Sequence, residues 1–421
     1  MTTVSVAETA ESAALHGFWT RSRKVGLTLF ILGAGVSLLS MTVNGRDVAL
    51  RLNLTLDVAQ TLPAWPLVLG CGMVCLLAGG VLFSGKERSR FGLLTGGGVA
   101  FMVLGLIFAV FASAGRNVPV ETLLAGTVVA ALPLIYGSLS GVLCERSGVI
   151  NVGIEGQFLA GAFTGAMVAT MTSSATAGIA AGALSGAVVT FLLAGLAVRY
   201  QVDQVVVGVI LNLLVLGLTG FLYDRIMKGN FSDYNEPERA ASWTVPLLSD
   251  IPVIGPMIFR QNVFTYLAIV LVAGIYLLLF RSRWGLRTRA VGEHPAAADT
   301  VGINVNWLRF RNVVIAGLVS GVGGAFFTVG RGLEFADNMT AGKGFIALAV
   351  LIVGRWNPLG ALAGALLFGF ADQLQEFLGG DSPVPYQFML MLPYLVTIVA
   401  VAGLIGRVRP PAADGKPYIK S

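Results

Sequence analysis

The polar residues between Leu139 and Gln157 are the first candidates for chemistry. Glu145, Arg146, Asn151, Glu155 and Gln157 lie within or beside apolar sequence. Ionisable groups at membrane depth are costly, so they face a protein interior or a water path. Gly148, Gly153 and Gly156 punctuate the same stretch and permit a broken helix, whose freed amides and carbonyls line a cavity. Glu145 and Arg146 fit a turn with solvated charges. Asn151, Glu155 and Gln157 fit a translocation pathway or the network supporting one, because the apolar run continues past them. Two more amides join this set. Asn212 stands alone in the run Val205 to Tyr223, and Gln373 follows Phe368-Gly-Phe-Ala-Asp372. For both, bonding to neighbouring helices is an equal alternative.

Other chemistries find little support. The two histidines are His16 and His294, and neither lies in an apolar run, so a histidine metal site is not expected. Cys71, Cys75 and Cys144 have no zinc-type spacing and read as small buried hydrophobes. Gly80-Val-Leu-Phe-Ser-Gly85-Lys86 approaches a phosphate-cradling loop, but Glu87 occupies the position of the magnesium-binding hydroxyl and no strand precedes it. The expectation is a chain with no catalytic residue, cofactor or metal, and no ATP site of its own.

Composition sets the frame for these residues. The 421 residues are 55% hydrophobic and only 12% charged, about half the charge of a soluble domain. Mean hydropathy is +0.80. The fold class expected is all-α, a polytopic membrane helix bundle with about 10–12 hydrophobic segments of the length that spans a bilayer or part of one. They run Val25–Val43, Trp65–Phe83, Phe91–Ala114, Val118–Cys144, Val149–Met171, Ala177–Val198, Val205–Tyr223, Val263–Phe280, Val313–Val329, Phe345–Gly354, Leu359–Phe370 and Tyr386–Ile405. The two short ones, Phe345–Gly354 and Leu359–Phe370, are alternatively re-entrant hairpins. Glycines four apart, such as Gly161 and Gly165 or Gly317 and Gly321, read as internal helix packing, with a homodimer face as the alternative.

Residues 1–20 read as a disordered tail, 21–116 as a three-span addition, 117–410 as the core and 411–421 as a second tail. Lys and Arg cluster before Val25, at Lys86–Arg90, at Arg199, through Arg281–Arg311 and after Ile405. The positive-inside rule then puts these clusters and both termini in the cytoplasm and Asp224–Gln261 outside. The net charge of +6 has this explanation, so nucleic acid is not an expected partner, whereas membrane lipid is. Inside loop 281–312, Gly292-Glu-His-Pro-Ala-Ala-Ala-Asp-Thr-Val-Gly302 reads as a short helix. Pro295 suits its first position and Gly302 the position past its end. Such a helix either lies on lipid or docks another protein.

Two of these segments carry a resemblance. Glu145-Arg-Ser-Gly-Val-Ile-Asn-Val-Gly-Ile-Glu-Gly-Gln157 and the stretch Gly292–Val305 resemble ABC-importer permease subunits. The branch is the nucleoside and simple-sugar one of the superfamily shared with branched-chain amino-acid and ribose permeases. Gly342-Lys-Gly-Phe-Ile-Ala-Leu-Ala349, Gly354-Arg-Trp-Asn-Pro-Leu-Gly360, Phe368–Asp372 and Gly415-Lys-Pro-Tyr418 are similar to that branch too. The resemblance covers Val118 to Tyr418 and leaves the first three spans without a counterpart in the shortest members.

It implies a type II importer-like permease in the bacterial inner membrane that does no covalent chemistry. It also implies cytoplasmic ABC ATPase subunits, a second related permease or a second copy of this chain, and an extracytoplasmic substrate-binding lipoprotein. Glu293, Pro295, Ala296, Ala297, Val301 and Gly302 would form the ATPase-coupling segment, with Ala296, Ala297 and Val301 buried in the ATPase. The substrate implied is a nucleoside, with a pentose or other simple sugar as the alternative. A secondary transporter would need intramembrane acid–base residues, and the candidates are few, Glu155 and Asp372. A membrane enzyme is disfavoured by the absence of clustered carboxylates and of histidines within spans.

Overall fold

The computed structural model of the protein describes residues 20–53, 58–84, 91–113, 115, 117–251, 253–378 and 409–419. The first 19 residues, the phosphate-loop-like Gly85 and Lys86, the basic cluster to Arg90 and the expected span Tyr386–Ile405 lie outside the described residues. The chain divides into two compact units. One holds the chain up to Glu121; the other runs from Thr122 to Leu374 and includes the tail from Arg407.

The first unit contains helices α1 (Arg21–Leu39), α2 (Ala64–Ser84) and α3 (Phe91–Ser113) and strands β1 (Asp47–Asn53), β2 (Val58–Pro63) and β3 (Val118–Pro119). Helix α2 is apolar all round, as a lipid-facing helix must be. Its buried stripe is Val68, Cys71, Cys75, Ala78 and Leu82, the three- and four-residue spacing that keeps one face on a neighbour. Gly26 of α1 and Gly79 of α2 let these backbones touch: a Cβ at Gly26 would lie 2.7 Å from the Gly79 carbonyl oxygen. Strand β1 pairs antiparallel with β2, Ala49 opposite Thr61, and parallel with β3, Leu50 opposite Val118. Arg46 closes the unit by donating to the Ser113 carbonyl at the end of α3, 2.6 Å away.

The second unit is built on α4 (Val120–Glu145), α5 (Ile154–Thr172) and α12 (Val305–Ala325). The apolar window of α4 is 89% buried and that of the span Val305–Gly330 is 83% buried, so these helices are central. Around them stand α6 (Ala175–Ala194), α7 (Gln204–Leu222) and α9 (Val263–Arg281), whose apolar windows are each 33% buried. Exposed Leu184, Val188, Val209, Leu213, Val270 and Leu277 give these helices the apolar outer faces lipid requires. The core crossing of α6 on α12 works through bare backbone. A Cβ at Gly186 would fall 2.4 Å from the Gly317 oxygen, so the glycine spacing serves internal packing.

The polar stretch after α7 is folded. It holds α8 (Phe231–Tyr234), strands β4 (Ser242–Thr244) and β5 (Arg260–Asn262), and single π turns at Tyr223–Met227 and Gly255–Phe259. After α9 come α10 (Arg283–Glu293) and α11 (Pro295–Thr300), and after α12 come α13 (Lys343–Val353) and α14 (Pro358–Leu378).

Eight helices among the described residues are long and apolar enough to cross a membrane. Two further expected segments also form long helices, the 19-residue α5 and the 21-residue α14. Segment 345–354 becomes the 11-residue α13, about 16 Å long and half of a bilayer core of roughly 30 Å. The run from Val149 is not helical until Ile154.

Candidate functional site

The chain leaves α4 through a turn in which Gly148 takes φ +86°. It re-enters the protein without helical structure before α5. Non-helical backbone at such a place needs partners of its own. Gln204 accepts from the Ile150 N–H at 2.7 Å. Asn212 of α7 accepts from the Gly156 N–H at 2.8 Å and donates to the Val152 carbonyl at 2.9 Å. The lone amide of α7 thus clasps the break.

Asn151 and Gln157, both fully buried, sit on the inner side of this break. Gln157 Nε2 donates to Asn151 Oδ1 at 2.8 Å, and Asn151 Nδ2 donates to Gln157 Oε1 at 3.2 Å and to Ser140 Oγ at 3.3 Å. Ser320 of α12 donates to Gln157 Oε1 at 2.6 Å. One network therefore joins α4, the break, α5 and α12.

Glu155 faces the other way and joins two helix starts. Its carboxylate accepts from Thr340 Oγ1 at 2.6 Å, from Gly342 N at 2.8 Å and from Gly344 N at 2.7 Å. The residue is 6% exposed. It stands in the first turn of α5 and at the first turn of α13, so one negative charge serves the positive ends of both helices. Gly342 takes φ +80° here. A Cβ on Gly344 would lie 2.5 Å from the Glu155 nitrogen, which fixes glycine at that contact. Lys343 pairs with Asp372 of α14. Gln373 is not in the Asn151 network. It packs on α4, where a Cβ at Gly126 would strike its Oε1.

Glu145 and Arg146 correct the expectation of solvated charges. The turn is present, but Glu145 is 6% exposed and accepts a hydrogen bond from Trp356 Nε1. Arg146 Nε donates to the Trp356 carbonyl at 2.8 Å, and its guanidinium lies 5.8 Å from the centre of the Phe280 ring. Loop 354–357, between α13 and α14, brings these partners from two hundred residues away, beyond the reach of local pattern.

The segment 293–302 lies at the same end of this unit. Pro295 opens α11 and Gly302, at φ +84°, follows its end. Ala298 is buried with Val291, Val305 and Leu308. Ala296, Ala297 and Val301 are exposed, so α11 shows an uncovered apolar side. Glu293 accepts from the Ala412 N–H at 3.2 Å.

Sequence reasoning missed Arg309, which counted as one more loop charge. It is 2% exposed. Its Nε donates to the Ser147 carbonyl at 3.0 Å and its Nη1 to the Lys416 carbonyl at 2.8 Å. The signal was there: Val305, Leu308, Arg309, Asn312, Val313 and Ala316 form one buried helical stripe. The tail residue Asp414 sits beside Glu145 and Arg309, and burial pushes its carboxyl up to about 7.

Comparison with known proteins gives this geometry a context. The family model described as the permease component of branched-chain amino acid transport systems matches residues 123–401. A guanosine ABC transporter permease protein of Bacillus subtilis, NupQ, is 41% identical over 70% of this chain and 95% of its own. A nucleoside ABC transporter permease protein of Lactococcus lactis, NupC, is 40% identical over 72% of this chain and 98% of its own. A putative glucose ABC transporter permease protein of Haloferax volcanii, TsgC13, is 35% identical over 60% of this chain and 76% of its own. No solved structure matches the chain.

Proposed function

From its membership of the branched-chain amino acid transport system permease family, to which this chain belongs, we propose that it carries nucleosides across the membrane. It is a multi-pass permease subunit of an ABC importer, a transport component rather than an enzyme, and works with ATPase and binding-protein partners. The observation that carries the nucleoside reading is the 40–41% identity across nearly the full length of two nucleoside permeases. The glucose permease relative, at 35% over a shorter stretch, keeps simple sugars as the second reading.

The finer arrangement is also our proposal. A second related permease completes the pathway, a lipoprotein delivers the solute, and both termini are cytoplasmic. The face of α11 made by Ala296, Ala297 and Val301 enters a cleft of the ATPase, with Glu293, Pro295 and Gly302 shaping it. Asn151, Gln157 and Asn212 serve the pathway as its frame: they hold the break before α5 open in one shape while the solute passes. Glu155 fixes the two helix starts, and Gln373 packs the opposite helix. Support comes from hydrogen bonds that use these side chains inside the protein.

The experiment is uptake of labelled guanosine, uridine and ribose by cells with and without this chain. Loss of nucleoside uptake on deletion, with ribose uptake unchanged, is the expected result. Loss of ribose uptake alone would replace the substrate class.

A further inference from the structure

The tail residues 411–418 are tied to three separate parts of the second unit. The Ala413 N–H donates to the Gly292 carbonyl at the end of α10, 2.9 Å away. Tyr418 donates its hydroxyl to Asp299 Oδ2 on α11 at 2.9 Å. Arg309 holds the tail carbonyl of Lys416 and, with the same guanidinium, the Ser147 carbonyl of the turn before α5. Gly415 takes φ +71°, a backbone shape that favours glycine, and packs on Ile150, whose Cδ1 would lie 2.7 Å from a Cβ at that position. The tail therefore touches α11 on one side and the turn 146–150 on the other.

Helix α11 has six residues, too few to hold its own shape in water. Its described apolar anchor is Ala298. On its flank Asp299 accepts the Tyr418 hydrogen bond, and the Tyr418 ring packs against the same cluster as Ala298. Arg309 is a buried cation, and such a group persists only when its donors are filled and opposite charge is near. Carbonyls of the tail and the turn fill them, and the Asp414 carboxyl lies beside them. Taking the tail away would strip Arg309 of part of this shell, so the cluster stands or falls together. Beyond Ile150 the chain runs directly into Asn151 and the polar network.

We propose that residues 411–418 are a positioning strap, anchored by Arg309 and Tyr418, that transmits movement of α11 to the turn 146–150 and so to the break before α5. This rests on the coupling role proposed for α11. Tyr418 and Arg309 are positioning residues; neither meets solute or nucleotide.

The test uses the full-length chain with Tyr418→Phe, which removes one hydroxyl and no bulk. In purified protein, amide hydrogen exchange across residues 293–301 should quicken at least about tenfold, the scale of one charge-assisted hydrogen bond lost, while α6 and α12 keep wild-type exchange. In proteoliposomes holding the chain with its ATPase, paired permease and binding protein, nucleoside imported per ATP hydrolysed should fall several-fold, with assembly and ATP hydrolysis near wild type. Merely structural damage would lower both together. Unchanged exchange overturns the strap. Quickened exchange with unchanged import per ATP overturns its transmitting role. If the wild-type complex imports no nucleoside, the functional reading fails instead, and exchange still decides the strap.

Discussion

Replacing Glu155 with glutamine exchanges one oxygen for an NH2 group and removes one charge, with no change of shape. The carboxylate accepts three hydrogen bonds, two on Oε1 and one on Oε2. Glutamine keeps one acceptor oxygen, best used toward Thr340 and Gly342. Its NH2 group must then face the Gly344 N–H, donor against donor. A hydrogen bond to a charged group contributes about 1.5–3 kcal/mol, and a buried donor left unpaired costs about 1–3 kcal/mol. The lost charge at the start of α13 adds roughly 0.5–1 kcal/mol. These terms overlap, so the expected loss for Glu155→Gln is about 2–4 kcal/mol. Glu155→Ala abandons all three donors and should cost about 4–6 kcal/mol, whereas Thr340→Val removes one hydroxyl and should cost about 1–2 kcal/mol. Thermal unfolding of the detergent-purified chain reads the series. At roughly 2–4 °C per kcal/mol for a unit of 150–250 residues, Glu155→Gln should lower Tm by about 4–16 °C. Uptake should fall only in proportion to folded protein. Wild-type Tm with abolished uptake would refute the reasoning and make Glu155 a group that meets the solute or a proton.

Three further outcomes are expected. Ala297→Asp puts a charge on the exposed side of α11 without touching the buried Ala298; ATPase assembly or substrate-stimulated hydrolysis should drop while the chain remains folded, as co-purification and hydrolysis assays would show. In a background lacking the three buried cysteines, an impermeant thiol reagent applied outside intact cells should label Leu247→Cys and spare Leu286→Cys, both positions being exposed; the reverse pattern would invert the topology. Asp414 has a carboxyl raised to about 7 against Glu145 and Arg309, so the docked tail holds more protons than the free tail between pH 4 and 7. Its contribution is full near pH 4, declines as pH rises through 7 and is flat above; Asp414→Asn should make the fall of Tm between pH 4 and 7 shallower, and an unaltered slope would assign it to other groups.

The spans were legible because each is a run of apolar residues long enough to cross lipid, and eight appear as such helices among the described residues. The glycine spacings spoke for themselves too, since Gly186 and Gly317 pack backbone on backbone. The short segment at Phe345 was recognisable as unusual. Its reason was not, because the Glu155 contact that caps α13 joins residues 187 positions apart. Glu145 failed the sequence reading for the same cause: its Trp356 partner lies 211 positions on. Arg309 was hidden differently. Its place in a buried stripe was readable, but arginine in a basic loop passes for a solvated charge until the carbonyls around it are seen. Asn212 carried the opposite lesson, for one amide in an apolar run wants an internal partner, and it has two backbone ones.

The Arg309–Lys416 contact also has a timetable. Its partners are separated by 107 positions. At about 5–20 residues per second of synthesis, Arg309 exists for roughly 5–20 s before Lys416 is made. During that interval the guanidinium lacks part of its final shell, and α14 has still to be built. A nascent chain at this stage keeps an unfilled cation at the edge of its bundle. The hydrogen bonding that joins Arg309 to the turn before α5 is therefore completed only once residues 411–418 have been made.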